Sequence, residues 1–431
     1  MKPRILARGS SESDELRAAP PTRVGLDGWV WIIVIAITPL QQLLFETVSS
    51  QVRSLPLVVA ALSLLLGRVA RFRGQGILTA AALLIVLAGF ISGTNSSVSA
   101  SAGVSIMLGL MVALVPSALA FQVRRSPTFV RNAVIAFLGV QTVSALAAIA
   151  QMAGASTFGI VSIAGRARGL AGHPNVLGIM SVIAILILLE MWGRRTVNRG
   201  LTLLVLLVNG VAIAGSASLS SLLMLAVGLA FYIVTIQGAL RYVLCTLLLV
   251  ALIGAVVSSN GDLTTLIPSS LESRIDEVTE VDGDRASWNI RVGAYGFALQ
   301  SIGADPVIGV GMDTMNQSTT QPGLVVHNYL LRGWFQGGLI LFVAFLMLTV
   351  LFVVSAARYI RQTDSIAPAA ILVSMLAFGM TASFYTQSHY WMVILTAFIV
   401  MGGLRPKIPK PNPKRRPTTL RSRKSAEPRH H

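Results

Sequence analysis

An all-α polytopic membrane protein, with about twelve transmembrane helices and a large extracytoplasmic loop holding an amphipathic helix, is the fold class this sequence predicts. Three observations carry it. Of the 431 residues, 54% are hydrophobic and 12% charged, more apolar surface than a soluble chain of this length can bury. The apolar runs are continuous over roughly 17–25 residues, which fits membrane helices rather than the ~10-residue alternating segments of a β-barrel. The Lys and Arg residues also fall unevenly between alternate loops.

Spans are predicted at 28–45, 54–70, 76–93, 103–121, 132–153, 174–192, 200–216, 218–237, 241–258, 333–356, 366–384 and 388–404. The first carries Pro39, Gln41 and Gln42 and is too long and polar for a secretory signal peptide. With the N-terminus in the cytoplasm, only Arg53, Arg166, Arg168, Arg274, Arg285, Arg291 and Arg332 fall outside. The rest of the 34 Lys and Arg face inward, the expected positive-inside arrangement. The chain then divides into a cytoplasmic tail (1–27), nine spans (28–258), a large outer loop (259–332), three spans (333–404) and a basic cytoplasmic tail (405–431). The net charge of +17 lies mostly on the cytoplasmic side. The Pro-rich basic tail is read as a disordered, lipid-contacting segment, so membrane lipids are expected partners and nucleic acid is not. The lone Cys245 excludes an intrachain disulfide or a zinc site and reads as a packing residue.

Positive-inside bias works against the outer Arg residues, so the segments that hold them are candidate anion sites. The first, "IAGRARGLAGHPNVLGIMS", places Arg166, Arg168, His173 and Asn175 just before a span. A turn plus a helix cap explains its Gly, Pro and Asn. It leaves two Arg and a His unexplained. The second is the large loop. Its acidic stretch between Asp262 and Asp284 reads as a solvated face, and the spacing of Asp276, Glu277 and Glu280 matches no metal-ligand pattern. Trp288, Val292, Tyr295 and Leu299 recur at helical spacing, predicting an interfacial helix over 288–302. "GVGMD" follows as a tight turn that folds the loop back on the spans. Without a strand–turn–helix context its Gly-x-Gly does not make a dinucleotide site. No cofactor is expected.

His327 and Asn328 come next, with Arg332 one turn later. A neutral imidazole takes a proton from a hydroxyl near pH 7; a hydrogen-bonded structural His is the alternative. Arg332 reads either as a phosphate ligand or as an interfacial residue with its head in water. His389, in "YTQSHYWMV", reads as interfacial. Taken together, one face carries a candidate base and several guanidinium groups suited to bidentate phosphate binding. A transporter or flippase for a lipid-linked anionic substrate would instead place ionisable groups at mid-membrane and show internal repeats. A non-catalytic scaffold would need no Arg/His set.

Three segments resemble the O-antigen ligase and O-antigen polymerase superfamily of bacterial envelope proteins: "RGLAGHPNVLG", "RVGAYGFALQSIGADPVIGVGM" and "HNYLLRGWFQGGL". The resemblance implies a metal-independent glycosyltransferase of the membrane-embedded C-type architecture in the cytoplasmic membrane, as in lipopolysaccharide assembly. The donor would be an undecaprenyl-diphosphate-linked glycan, and the acceptor a hydroxyl on a lipid, wall polymer or protein. A polymerase would extend the glycan instead. His327, Arg291 and Arg168 would be catalytic, with the two Arg holding diphosphate. Asn175 and Asn328 would support them. One departure stands out: Leu219 falls near where the family often has Arg, and Arg166, Arg285 or Arg332 would then substitute.

Overall fold

The computed structural model describes residues 23–163, 165–235, 287–312, 325–382 and 384–403. The described residues form an α-helical bundle without extended strands. In chain order the helices are α1 (Leu26–Ala36), α2 (Gln41–Thr47), α3 (Leu55–Leu65), α4 (Gln75–Ser92), α5 (Val98–Arg125), α6 (Phe129–Met152), α7 (Pro174–Gly193), α8 (Arg199–Ser216), α9 (Leu219–Thr235), α10 (Ser287–Ala304), α11 (Tyr329–Gln362), α12 (Ala367–Gly379) and α13 (Ser388–Gly403).

Among the described residues, α4, α5, α6, α7, α8 and α11 are long and apolar enough to cross a membrane. A seventh span results if α1 and the helix after it, bent by 43° at the break, count as one. Four other expected spans fall on α3, α9, α12 and α13, which are shorter apolar helices. The span expected at 241–258 lies outside the described residues. The 13 residues of α12 cover only about 20 Å at the helical rise. Beyond them the chain continues through an irregular stretch in which Thr381 N–H bonds the Phe378 carbonyl and Trp391 Nε1 the Tyr385 carbonyl. Such backbone is tolerated at membrane depth where protein covers it and its polar groups are paired.

The interior is apolar, with α7 almost wholly buried. One buried polar cluster crosses it. Gln141 on α6 donates to Ser181 Oγ on α7 (2.8 Å) and to Asn209 Oδ1 on α8 (3.3 Å), and all three side chains are fully buried. In an apolar medium such bonds hold helices together.

The two ends of the bundle differ. At one end lie Arg68 and Arg125, both paired with Asp27, and Arg194, paired with Glu190. Glu190 also accepts from Ser365 Oγ (2.6 Å) and from the backbone N–H groups of Ile366 (2.9 Å) and Ala367 (2.5 Å). It thereby caps α12, whose first turn has no capping side chain of its own. An anionic acceptor suits those orphan donors and the positive end of the helix dipole. Glu190→Gln is expected to lower stability by about 1–3 kcal/mol, read as a fall in the thermal unfolding midpoint in detergent.

At the other end sit the loop before α7, the helix α10 and the start of α11. Here α11 is not continuous: Gly338 has φ 63° and ψ −165° and breaks it. The segment 305–312 fills the break. Val310 and Gly311 N–H bond the carbonyls of Phe335 (3.0 Å) and Gln336 (2.9 Å), and Leu339 N–H bonds those of Pro306 (3.0 Å) and Val307 (3.2 Å). Trp334 Nε1 also reaches the Pro306 carbonyl at 2.9 Å. The groups freed by the broken helix are thus satisfied by the crossing strand of chain.

Candidate active site

The loop before α7 is held from α6. Gln151 Oε1 accepts from the backbone N–H of Arg168 (3.0 Å) and Gly169 (2.9 Å), while its Nε2 donates to the Gly169 carbonyl (3.0 Å). Leu170 N–H bonds Ser144 Oγ at 3.0 Å. Gly169 (φ 54°) and Gly172 (φ 77°) need left-handed backbone. A Cβ at Gly169 would overlap the Ser144 carbonyl, and one at Gly172 would lie 2.8 Å from Leu43 N. The glycines permit close approach, as their type implies, and here the partner is the protein's own backbone.

Arg166 is a strut. Its Nε donates to the Ser216 carbonyl (2.8 Å) at the end of α8, and its Nη2 to Asn175 Oδ1 (2.8 Å). This places a guanidinium on the C-terminal carbonyls of α8, where the dipole favours a cation. Ala217, in left-handed backbone (φ 45°), follows at once, so the strut secures the α8–α9 break beside Leu219. Arg168 donates Nε to Val161 O (2.9 Å) and Nη1 to Gly172 O (3.2 Å); its Nη2 has no partner among the described residues. His173 caps α7, its Nδ1 accepting from Asn175 N–H at 3.1 Å. Burial first, and then Arg166, holds its imidazole below the usual range, with Glu46 opposing.

The second group is built on α10 and α11. Asn328 caps α11 by accepting from Leu330 N–H (3.1 Å) and Leu331 N–H (3.0 Å). Just before it, the His327 carbonyl accepts from Tyr295 Oη at 3.0 Å, joining the two helices. The His327 side chain is half-buried and its imidazole makes no hydrogen bond among the described residues. Burial first, then the positive charges of Arg291 and Arg332, push its pKa down to about 4. The imidazole is therefore neutral at pH 7, with Arg291 close enough to act on it.

Arg332 differs from its interfacial reading. It is 2% exposed, donates Nε to Gln336 Oε1 at 3.1 Å and lies over the Tyr385 ring at 5.2 Å. Tyr385 Oη in turn bonds Gln336. It is a buried, engaged cation rather than an interfacial one. His389, read as interfacial, is 2% exposed, tilted against the Tyr390 ring. α10 spans Ser287–Ala304, but its packed face is Ala294, Ala298 and Ile302, set against Val326 and Phe335. Val292 and Leu299, half of the expected stripe, are exposed on the other side. Arg285 and the Asp276–Glu280 cluster lie outside the described residues. Among the described residues no three His, Cys, Asp or Glu side chains gather as a metal site.

Two groups therefore form at the same end of the bundle. His173, Asn175, Arg166 and Arg168 hold the first; His327, Asn328, Arg291 and Arg332 hold the second. Sequence reasoning missed the residues that position them: Gln151, Gln336, Tyr385, and Asn95, whose Nδ2 bonds Asp305 Oδ2 (3.1 Å) and the Gly309 carbonyl (2.9 Å). Gln in an otherwise apolar helix was the one available signal for the first two.

A family model described as O-antigen ligase matches residues 201–346. The matched stretch runs from α8 into α11 and includes Arg291, His327 and Arg332. No curated protein matches the chain.

Proposed function

From residues 201–346, an O-antigen ligase family domain, we propose that this membrane protein is a glycosyltransferase. It moves a glycan from an undecaprenyl-diphosphate carrier to an acceptor hydroxyl at the site end of the bundle. Members of the family are glycan-processing enzymes acting on lipid-linked glycans, which supports a lipid-linked donor. The basic end, with Arg68, Arg125 and Arg194, would face the cytoplasm of a bacterium and the site end the outer leaflet.

The observation that carries the reading is His327: a neutral, half-buried imidazole without a hydrogen-bond partner among the described residues, beside Arg291. In the proposed reaction the acceptor hydroxyl gives its proton to His327 and its oxygen attacks the anomeric carbon. The bond from that carbon to the diphosphate oxygen breaks, and the polyprenyl diphosphate leaves with the electron pair. Arg291 and Arg168 offset the charge that grows on it. A bound diphosphate also cancels part of the positive field at His327, so the base strengthens once the donor is in place. His173, by contrast, is committed to a helix cap.

The test is transfer by purified protein in lipid, with polyprenyl-diphosphate-linked glycan, an envelope acceptor fraction and EDTA. Product that persists in EDTA is expected. A single shift in acceptor size indicates ligation and a ladder indicates polymerisation; no product with any donor would overturn the proposal.

The pH dependence follows from His327. Its folded pKa is depressed, so the neutral, base-competent form is present above about pH 4. In free enzyme kcat/KM should stay level from pH 7 to about 5 and fall only near 4. Arg291→Gln removes one of the depressing charges and should move that limb upward. A limb near the ordinary imidazole range of about 6.5 in the wild type would count against this environment.

A further inference from the structure

From the basic end inward, a cavity of about 680 Å³ opens among α5, α6, α7, α12 and α13, with Ile35 of α1 and Thr38 just after it on its wall, within the ~300–1,000 Å³ usual for ligand sites. None of the candidate site residues lines it, and on α7 the lining residue nearest to them, Ile183, lies 8 residues from Asn175, about 12 Å at the helical rise. Its inner wall is apolar, with Leu119, Phe137, Ile183 and Met392 all buried. From Ile183 to Arg194 the α7 wall runs for about 16 Å.

The mouth holds two cations and one acid, Arg131, Arg194 and Glu190. Arg131 lines it, is exposed, and makes no hydrogen bond or ion pair among the described residues. Arg194 lines it too and engages Glu190 through Nε alone, its side chain 46% exposed. Deeper in, the Thr396 hydroxyl is buried without a hydrogen-bond partner. A slot this deep and apolar, with guanidinium groups at its rim and one unpaired hydroxyl inside, has the layout of a chain with an anionic head.

We propose that the cavity holds one acyl chain of an anionic phospholipid, its phosphate between Arg131 and Arg194. The ester oxygens, which accept hydrogen bonds, are the partner the Thr396 hydroxyl lacks. The basic end is also where anionic lipid gathers in a positive-inside topology. The proposal does not rest on the transfer reaction.

The test uses the full chain, delipidated in detergent and offered equal phosphatidylglycerol and phosphatidylcholine of matched chains, read by native mass spectrometry. One phosphatidylglycerol should be retained with roughly tenfold preference. Arg131→Gln, at an exposed side chain without contacts, should cut that preference about fivefold. Phosphatidylglycerol with a photoreactive acyl chain should label peptides within 129–137, 183–194 or 392–400. Equal retention of the two lipids, unchanged preference in the variant, labelling elsewhere, retention of polyprenyl phosphate in their place, or no bound lipid would each overturn the proposal.

Discussion

Gly338→Ala is expected to abolish the folded site. Gly338 takes a backbone conformation that side chains avoid, at about 1–3 kcal/mol for strain alone. A Cβ there would also overlap the Val307 carbonyl oxygen. That oxygen belongs to the crossing segment and accepts from Leu339 N–H, so the methyl group and the hydrogen bond cannot coexist. Gly309 (φ 79°) presses against the same point, its would-be Cβ lying 2.5 Å from Gly338 N. The crossing is thus backbone against backbone, and either the segment lifts or α11 straightens. Both outcomes pull α10, with Arg291 and Tyr295, away from His327. The variant should lose transfer activity and much of its folded yield in size-exclusion chromatography. Gly303→Ala, on α10 with open space at its Cβ, is the contrast: it should be neutral or stabilising by up to about 1 kcal/mol. Normal activity in Gly338→Ala would show that the break does not position the site.

His327→Ala should reduce kcat by about 10²–10⁴, the range for losing a general base, while the protein folds normally. The second half follows from the contacts: the imidazole has no hydrogen-bond partner among the described residues, and the link to Tyr295 runs through the backbone carbonyl, which the variant keeps. KM for the donor should change little, because diphosphate recognition falls to arginine. His173→Ala separates base from cap. It removes the acceptor for Asn175 N–H, and its effect should appear first in stability, with a loss of about 1 kcal/mol typical of a cap. Equal activity in wild type and His327→Ala would remove His327 from the chemistry and leave the similarity over residues 201–346 untouched.

The sequence disclosed local features and hid distant ones. The helix start at Pro174 was legible because capping acts within a few residues; the start of α11 at Tyr329, ahead of the expected 333, was not. "GVGMD" could be read as a turn because positive φ demands glycine, and Gly309 and Gly311 adopt it. What the turn folds against was illegible: its partners are Asn95 on a segment over 200 residues earlier and the broken helix α11. That break is masked by an apolar run of α11, whose periodicity continues through Gly338. The stripe on α10 did not reveal which face packs, for a physical reason. Small Ala294 and Ala298 allow close helix packing, a pattern that hydrophobicity alone scores below Val292 and Leu299. Arg166 was chosen for its charge, and its Nε donates to the Ser216 carbonyl of α8, a contact its spacing did not predict. No rule from spacing could tell a peptide oxygen from a phosphate oxygen as its acceptor.

The bonds from Gln141 to Ser181 and Asn209 bear on how this bundle can move. They pin α6, α7 and α8 together in a region without water to replace a broken bond, where each unpaired group costs about 1–3 kcal/mol. Any motion that separated those three helices would have to break them, while motion of the three as one unit would not. α6, α7 and α8 are therefore expected to behave as one rigid block, whatever moves around them.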